Sequence, residues 1–355
     1  MSAANPTVTP STNQSKVINF SGLQKGLDLL GMGWITPLCN LLVGNKPAEQ
    51  LNALKHKLVI PLLGIALFVS AWAVLAPQVK TSLGVIPGPV QVWQQLGNLV
   101  DDHYRERDKA LAFYERQEQR NQQLIADGKA EKVKERVYTG KPTFVDQIVT
   151  SLFTVALGFF IATVIAVPLG LACGLSKGIQ GAVNPLIQIF KPVSPLAWLP
   201  IVTMVVSATY MNPSEWLPKS MLISAVTVTL CSLWPTLVNT AMGVASVDKD
   251  LINVSRVLKL STFQSTMKVI LPSALPLIFT GLRLSLGVGW MVLIAAEMLA
   301  QNPGLGKFVW DEFQNGSSDS LAKIMFAVLV IGIIGFILDR IMFALQQVFT
   351  FGNDR

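Results

Sequence analysis

Charged residues are scarce in this chain, and their scarcity excludes most soluble folds. Of the 355 residues, 14% are Asp, Glu, Lys or Arg, whereas 51% are hydrophobic. Several uncharged runs reach the roughly 20 residues that an α-helix needs to cross about 30 Å of hydrocarbon. We therefore predict an all-α, polytopic membrane protein. Its net charge of +7 reflects the lysines and arginines that collect on the cytoplasmic side of a membrane, so we expect no binding to nucleic acid.

Residues suited to catalysis or metal binding are also few. The three cysteines, Cys39, Cys173 and Cys231, share no metal-ligand or disulfide spacing, and the two histidines, His56 and His103, stand alone in polar segments. We interpret the cysteines as packing residues, because free cysteine is usually buried. The sequence thus predicts no catalytic residue, no metal site and no cofactor on this chain.

A nucleotide-binding loop is missing as well. A P-loop needs Gly-Lys followed by Ser or Thr, so that the hydroxyl can bind magnesium. The Gly-Lys pairs at 140–141 and 306–307 are followed by Pro142 and Phe308 instead. A pump-like role therefore requires ATP and magnesium to be bound by a partner ATPase.

Six apolar runs predict six membrane spans. They are Leu58–Val79, Gln147–Ser176, Asn184–Ser207, Ser220–Ala245, Ser273–Leu299 and Leu321–Leu338. Six spans place both termini on one side. The segment between the fourth and fifth spans carries four Lys or Arg residues, which indicates that it faces the cytoplasm. We expect a multi-pass protein of the bacterial inner membrane with both termini in the cytoplasm.

The remaining segments are polar. We predict a cytoplasmic segment at 1–57, with a disordered start and an interfacial helix near 29–44. The first span is predicted at 58–79, and a charged extracytoplasmic loop, with a solvated helix or hairpin, at 80–146. Because long polar loops cross membranes largely regardless of charge, the eleven Lys and Arg of that loop do not decide orientation. A transmembrane domain is predicted at 147–347 and a cytoplasmic tail at 348–355.

The third span has an unusual density of proline. Its run FKPVSPLAWLPI contains Pro192, Pro195 and Pro200. Proline at membrane depth frees backbone carbonyls, which are tolerated against protein or a watery cavity. Two interpretations stay open, a kinked packing helix and a segment that lines a transport pathway.

A polar segment at 246–272, SVDKDLINVSRVLKLSTFQSTMKVILP, separates the fourth and fifth spans. We predict two short helices joined by a turn. Ser246 or Asp248 can cap the first helix, and Ser261 with Gln264 forms a capping box for the second. Pro272 is placed where a new helix would begin.

The spacing within this segment resembles the EAA loop of type I ABC-importer permeases, in which Glu-Ala-Ala, three residues, Gly, nine residues and Ile-x-Leu-Pro follow one another. Here Val269 occupies the Ile position, Lys259 the Gly position, and Asn253–Ser255 the Glu-Ala-Ala positions. The resemblance implies short coupling helices that dock on a separate ATPase. The coupling residues it predicts are Asn253, Val254, Ser255, Arg256, Leu258, Lys259 and Leu260.

The resemblance extends from about Thr143 to the C-terminus. The run AEMLAQNPGLGKFVWDEFQNGSS is similar to the nitrate, sulfonate and taurine branch, and within it to bacterial nitrate permeases. It implies the type I ABC transporter permease fold, a homodimer in membrane lipid, two ATPase subunits and a periplasmic or lipoprotein solute-binding protein. The substrate would be a small anion such as nitrate or nitrite, with bicarbonate, cyanate, alkylsulfonate or taurine as alternatives.

Polar residues within the spans are candidates for the translocation pathway. Arg283 is the basic residue placed deepest in the bilayer, and its planar fork suits an oxyanion. It could equally snorkel or tie helices together through a carboxylate. Ser194, Trp234 and Asn239 are further candidates that could instead be interhelical contacts. Glu297 is predicted near the outer surface as a structural or gating residue.

Two other classes of protein fit the same composition. A secondary transporter or channel would work without an ATPase, and it predicts paired broken helices in two repeated halves. A membrane scaffold or receptor would use the long charged loop as its working part.

Overall fold

The computed structural model describes residues 33, 35–42, 47–81, 84–211, 214 and 216–351. The start of the chain that was predicted to be disordered, and the last four residues of the predicted tail, lie outside these residues. Two compact units divide the chain after Phe68. In the first unit the predicted interfacial segment contains helix α1 (Ile35–Leu42).

The first span begins earlier than predicted. Helix α2 (Pro47–Leu54) continues through a π-helical turn (Lys55–Val59) into α3 (Ile60–Leu75), so the helical run extends beyond the predicted start at Leu58. Pro61 follows directly after this turn, in which the N–H of Ile60 bonds to the carbonyl of Lys55. The wider turn accommodates the proline ring, which would clash with a carbonyl in a regular α-helix.

The predicted charged loop is largely one helix. A two-stranded antiparallel ribbon, β1 (Lys80–Thr81) and β2 (Gly84–Val85), leads into α4 (Pro89–Ala126). This helix has 38 residues and is therefore about 57 Å long. Proline at its first position is favourable because the missing N–H needs no partner there.

Three long helices form the centre of the second unit: α5 (Phe144–Leu175), α8 (Lys219–Ala245) and α11 (Leu271–Ala300). In α8, 61% of the most apolar stretch is buried, against 28% in α5, so α8 lies at the centre. Small residues permit close contact, since a Cβ on Gly158 would lie 2.7 Å from the carbonyl oxygen of Ala225. Such contacts replace the hydrophobic driving force that lipid removes.

The third span is broken rather than continuous. Helices α6 (Lys177–Phe190) and α7 (Pro195–Thr209) meet at 103°, so the segment predicted as one span at Asn184–Ser207 contains parts of two helices joined at a sharp bend. The helical stretch starts at Lys177 because the hydroxyl of Ser176 accepts a bond from the N–H of Ile179 (3.4 Å). Prolines at 192 and 195 disfavour helix in the residues before them and create the break.

The polar segment contains one separate helix, α9 (Lys249–Val257). The second predicted helix, α10 (Thr262–Ser265), continues through a π-helical turn (Thr266–Ile270) into α11. The α-helix α11 begins at Leu271 with Pro272 in its first turn, as predicted, but it continues the preceding helical run. As at Pro61, the π-helical turn lets proline follow without ending the helix.

Two helices complete the chain, α12 (Leu305–Asn315) and α13 (Ser318–Phe351). Helix α13 continues for 13 residues beyond Leu338, the predicted end of the sixth span. Neither glycine nor proline interrupts residues 336–351. Within the described residues five helices are long and apolar enough to cross a membrane, or six if the bent pair is one span. The all-α, polytopic class is thus confirmed.

Candidate coupling segment and translocation pathway

Helix α9 is capped at both ends by local interactions. The carboxylate of Asp248 accepts a hydrogen bond from the N–H of Asp250 (3.0 Å), so Asp248 rather than Ser246 is the N-cap. The hydroxyl of Ser246 instead donates to the carbonyl of Gly243 (2.9 Å). Because these side chains satisfy backbone groups at the helix boundary, α9 is a defined element and not a flexible loop.

The backbone explains the glycine of the EAA pattern. Lys259 has φ 51°, in the left-handed region. The N–H of Leu260 bonds to the carbonyl of Ser255 (3.0 Å), and the N–H of Lys259 bonds to that of Arg256 (2.9 Å). These are the two bonds of a Schellman motif, which favours glycine at this position. The motif is kept here with lysine, at a conformational cost of roughly 1–2 kcal/mol.

Ser255, which occupies the last Ala position of the EAA pattern, faces inward. Ser255 is 3% exposed, and its hydroxyl donates to the carbonyl of Ile252 (2.7 Å). The hydroxyl of Ser265, at the start of the next helical run, donates to the hydroxyl of Ser255 (3.0 Å). Ser255 was predicted among the coupling residues, but its burial makes it part of the scaffold that orients α9.

The outer surface of the polar segment is apolar and uncovered. Val254 is 55% exposed, Val257 81% and Leu258 64%, and Phe263 is exposed beside them. Four other predicted coupling residues are exposed or half-buried, namely Asn253, Arg256, Lys259 and Leu260. A group of exposed apolar side chains on an otherwise polar segment is typical of a surface that binds a partner.

This surface lies at one end of the helix bundle. Leu175, the last residue of α5, lines a groove of about 440 Å³ together with Ser255 and Arg256. At the other end of α5, Asp146 forms an ion pair with Arg107 of the long helix α4. Because α5 has 32 residues, these two ends are about 48 Å apart. The polar segment and the paired residue of α4 therefore lie at opposite ends of α5.

Arg283 is engaged by a carboxylate. Its Nε and one terminal nitrogen donate to the two oxygens of Asp339 at 2.5 and 2.7 Å, and its guanidinium lies 5.3 Å from the ring centre of Phe343. This pair uses two of the five N–H donors of the guanidinium, and the carboxylate offsets the positive charge that would attract an anion. The geometry favours the interpretation in which Arg283 joins α11 to α13. Asp339 was missed as its partner because the sixth span was predicted to end just before it.

Glu297 is fully buried in a cage of neutral donors. The hydroxyl of Ser151 donates to both carboxylate oxygens (2.8 and 2.9 Å), and the N–H of Gly306 donates to one of them (3.0 Å). Asn302, also fully buried, donates more weakly (3.5 Å). The carboxylate thus accepts a hydrogen bond from a backbone N–H in the first turn of α12, and it links α12 to α5 and α11. These contacts favour the structural alternative for Glu297 over the gating one, and its role near the outer surface stays a prediction.

Two other pathway candidates have local roles. The hydroxyl of Ser194 accepts from the N–H of Leu196 (3.3 Å) and caps α7. The amide of Asn239 donates to the carbonyl of Pro235 (2.8 Å), and its Cβ lies where a side chain on Gly281 would clash. Both remain pathway predictions, but these contacts account for the two residues as a cap and an interhelical contact.

Trp234 lies beside the break in the third span. Phe190, the last residue of α6, has its ring centre 6.3 Å from that of Trp234 and 5.6 Å from that of Trp198. The indole nitrogens of both tryptophans are buried, and neither has a hydrogen-bond partner among the described residues. Trp198 was missed, although it stands within the proline-rich run that marked the segment as unusual.

A membrane-spanning helical bundle with an exposed amphipathic helix at one end is the arrangement expected of an importer permease. Residues 166–350 match the family described as binding-protein-dependent transport system inner membrane component. The chain belongs to this family, and it is a type I ABC-importer permease of the nitrate, sulfonate and taurine branch, as predicted. Permeases of this family work with separate ATPase subunits and a binding protein, so this chain is a transport subunit and not the ATPase.

Three relatives illustrate the branch. The nitrate import permease NrtB of Synechocystis sp. is 31% identical over 86% of this chain and 95% of its own length. The bicarbonate transport permease CmpB of Synechococcus elongatus is 32% identical over 86% and 94%. The taurine permease TauC of Escherichia coli is 34% identical over 59% and 70%.

A solved structure of the MetNI methionine ABC transporter, in inward-facing conformations, shares the fold. One of its chains superposes with a TM-score of 0.50 at 15% identity, over 58% of this chain and 96% of that one. The superposition covers nearly the whole MetNI chain and little more than half of the present one. The predicted permease fold is thus confirmed.

The exposed apolar surface of α9 can be tested by adding a charge. In the complete transporter, Val254→Glu is expected to lower anion uptake at least about 10-fold while ATP hydrolysis continues, because a carboxylate buried without a partner weakens docking. The matched control is Val137→Glu, since Val137 is also exposed (68%) but belongs to the segment that returns along α4, at the other end of α5 from the polar segment. Equal uptake by the two variants would contradict a docked α9.

The Arg283–Asp339 pair can be tested by a double-mutant cycle. We expect Arg283→Met and Asp339→Leu each to lower the melting temperature and the yield of folded protein, because each leaves one charge uncompensated in an apolar environment. The double variant should recover most of the loss. Additive losses in thermal unfolding assays would show that the two side chains act independently.

Proposed function

We propose that this chain is the membrane-spanning subunit of an ATP-driven importer of a small inorganic anion, nitrate or nitrite. The observation that carries the proposal is the similarity to a nitrate import permease along 86% of the chain. The charged loop predicted at 80–146, which we call the charged insertion, and the polar segment at 246–272 both fall within a match of that extent. Transport into the cytoplasm would occur by alternating access.

The assembly we propose has two copies of the chain in the bacterial inner membrane. Each copy would dock one ATPase subunit on the exposed face of α9, and the ATPases would bind ATP and magnesium. Both termini would lie in the cytoplasm, and a solute-binding protein would deliver the anion on the opposite side. Closure of the ATPases would favour one access state because the partners bind the two states with different affinities.

The broken third span is our candidate for contact with the anion. The buried indole N–H groups of Trp198 and Trp234 are uncommitted donors close to the break. Leaving a donor unpaired costs about 1–3 kcal/mol, which favours a transient acceptor. Neutral donors suit a monovalent oxyanion that must be released again. Lys191, at the break itself, is exposed and adds one positive charge.

Bicarbonate is the second candidate substrate. A bicarbonate permease is 32% identical over the same share of the chain as the nitrate relative. Nitrate and bicarbonate are both planar oxyanions with one negative charge, and bicarbonate differs in carrying an O–H donor. The two substrates would therefore bind to similar hydrogen-bond donors along the pathway.

The substrate is tested by reconstituting the chain with the ATPase and binding protein that accompany it. Proteoliposomes loaded with ATP are expected to accumulate labelled nitrate, and an excess of unlabelled nitrite should compete. Uptake of labelled bicarbonate without uptake of nitrate would replace the first candidate by the second. A control with a hydrolysis-deficient ATPase should abolish uptake.

The role of the two indoles is tested by Trp198→Phe and Trp234→Phe, which keep an aromatic ring and remove the donor. We expect uptake at saturating nitrate to fall about 10-fold, as for the loss of a hydrogen bond to a charged group. The melting temperature should fall only slightly, because no hydrogen bond within the protein is lost and the phenyl ring keeps most of the packing. Trp216→Phe is the control, since Trp216 is 70% exposed. Unchanged uptake in both variants would contradict a pathway at the break.

A further inference from the structure

The charged insertion projects beyond the bundle. Near its start, Val92 and Leu99 of α4 are buried in a cluster with Phe144. Further along α4, Arg107 is paired with Asp146 at the end of α5. Another 19 residues of α4 follow Arg107, which corresponds to about 28 Å of helix. This projecting part lies on the side opposite the polar segment that contains α9.

The chain returns along this projecting helix and is fixed to it. The N–H of Arg136 donates to the side chain of Gln117 (2.9 Å), and the N–H of Tyr138 donates to the hydroxyl of Tyr114 (3.1 Å). The hydroxyl of Tyr138 donates to Glu106 (2.7 Å), which lowers the pKa of Glu106 and raises that of Tyr138. The helix and its return segment therefore form one scaffold.

Five cations surround a single depression of about 180 Å³ on this scaffold. They are Arg116, Arg120, Lys132, Lys134 and Arg136, and all five are exposed. We call them the basic cluster. Their convergence follows from local geometry, since residues four apart share a helix face and alternate residues of an extended segment share a side. By the same helical spacing, Glu115 and Glu118 lie on other faces of the helix.

The basic cluster exists because basic residues are grouped on one face, and not because the insertion has a large excess of basic over acidic residues. Between Lys80 and Lys141 the chain has eleven Lys and Arg residues against nine Asp and Glu. Other cations of the insertion form ion pairs, such as Arg105 with Asp102 (3.2 Å). Within the described residues, no member of the basic cluster is paired with an acid. Like charges held together repel one another, which favours an anionic occupant.

We propose that the basic cluster is a docking surface for an acidic patch on the solute-binding protein that delivers the anion. The inference rests on the proposed function, and it assigns to the insertion the capture of that partner. Arginine forks match surface carboxylates in a bidentate geometry, and Arg116, Arg120 and Arg136 supply three of them. Complementary charge would steer the binding protein and raise its association rate.

The geometry favours a protein over a small anion or a lipid. Arg116 and Arg120 are about 6 Å apart along the helix, and Lys132 and Arg136 about 13 Å along the return segment, which is wide for one small oxyanion. The cations are exposed, so they do not enclose a ligand. Arg116, the first member of the cluster, follows the ion pair at the end of α5 by two to three helical turns, so about 14 Å of helix separates the cluster from that end of the bundle.

The test uses the complete transporter in nanodiscs of zwitterionic lipid, and its accompanying binding protein as the probe. The cluster variant carries Arg116→Glu, Arg120→Glu and Arg136→Glu. The matched control carries Lys80→Glu, Arg105→Glu and Lys129→Glu, which reverse three charges elsewhere in the insertion. We expect the cluster variant to lower the association rate at least about 10-fold at low salt, and the control to change it about 2-fold or less.

A measurement at high salt and a milder variant test whether the change in association rate is electrostatic. The difference between wild type and cluster variant should shrink at high salt, because screening removes steering. Arg116→Gln, Arg120→Gln and Arg136→Gln together should give an intermediate rate and unaltered basal ATP hydrolysis, which shows that the scaffold is folded. Equal association rates for the cluster variant and the control would overturn the proposal.

Other occupants give distinct results. Binding of inorganic phosphate to wild type that is lost in the cluster variant, with an unchanged binding-protein rate, would assign the cluster to a small anion and overturn the proposal. A rate difference that appears only in nanodiscs with anionic lipid would assign it to the membrane and do the same. Docking is measured without nitrate, so a transporter that carries bicarbonate instead would still give a valid test.

Discussion

The contact between α8 and α11 at Ser285 is the constraint on which the rest of the bundle depends. The hydroxyl of Ser285 donates to the carbonyl of Ser232 (2.5 Å) and accepts from the N–H of Thr236 (3.1 Å). A regular α-helix joins these two backbone groups directly. Pro235 lies between them, and the hydroxyl inserted from α11 satisfies the distorted turn. The two helices are therefore locked to each other at the middle of the bundle.

This lock connects the two ends of the molecule. At one end, α9 lies between α8 and the helical run that becomes α11, so a force on its exposed face reaches both helices. At the other end, the Glu297 cage joins α11 to α5 and α12. A buried carboxylate with a full set of neutral donors is held in one geometry, since losing a donor would leave a charge unpaired. Motion at α9 can thus reach the opposite end of the bundle through helices that are joined at two points, Ser285 and Glu297.

The sequence was sufficient to predict contacts between residues close along the chain, such as helix caps. It was not sufficient to predict which helices pack against one another. Asp248 caps α9, and Ser261 and Gln264 form the predicted reciprocal bonds (3.1 and 3.2 Å), because such caps involve residues close in sequence. The prolines at 192 and 195 marked the break of the third span, although not its angle of 103°. By contrast, the partner of Arg283 lies 56 residues away, and its identity depends on how α11 and α13 pack.

The sequence did not show that two helical runs continue through proline. The first span was predicted to start at Leu58 because the uncharged run begins there, and Pro272 was predicted at a helix start because proline favours that position. A π-helical turn before each of Pro61 and Pro272 keeps the helix continuous, and no composition signal marks it. The substitution of the EAA glycine by Lys259 was the opposite case. The spacing alone identified the position, and its φ of 51° supplies the reason that glycine is favoured there.

The central claim is that α9 faces the cytoplasm and the insertion faces the other side of the same membrane. Single cysteines at Lys259 and Arg120, introduced after replacing the three native cysteines, can be labelled with an impermeant maleimide in sealed vesicles of known orientation. The account predicts that Lys259→Cys reacts only from the cytoplasmic face and Arg120→Cys only from the opposite face. Labelling of both positions from one face, or of Lys259→Cys from outside, would contradict it.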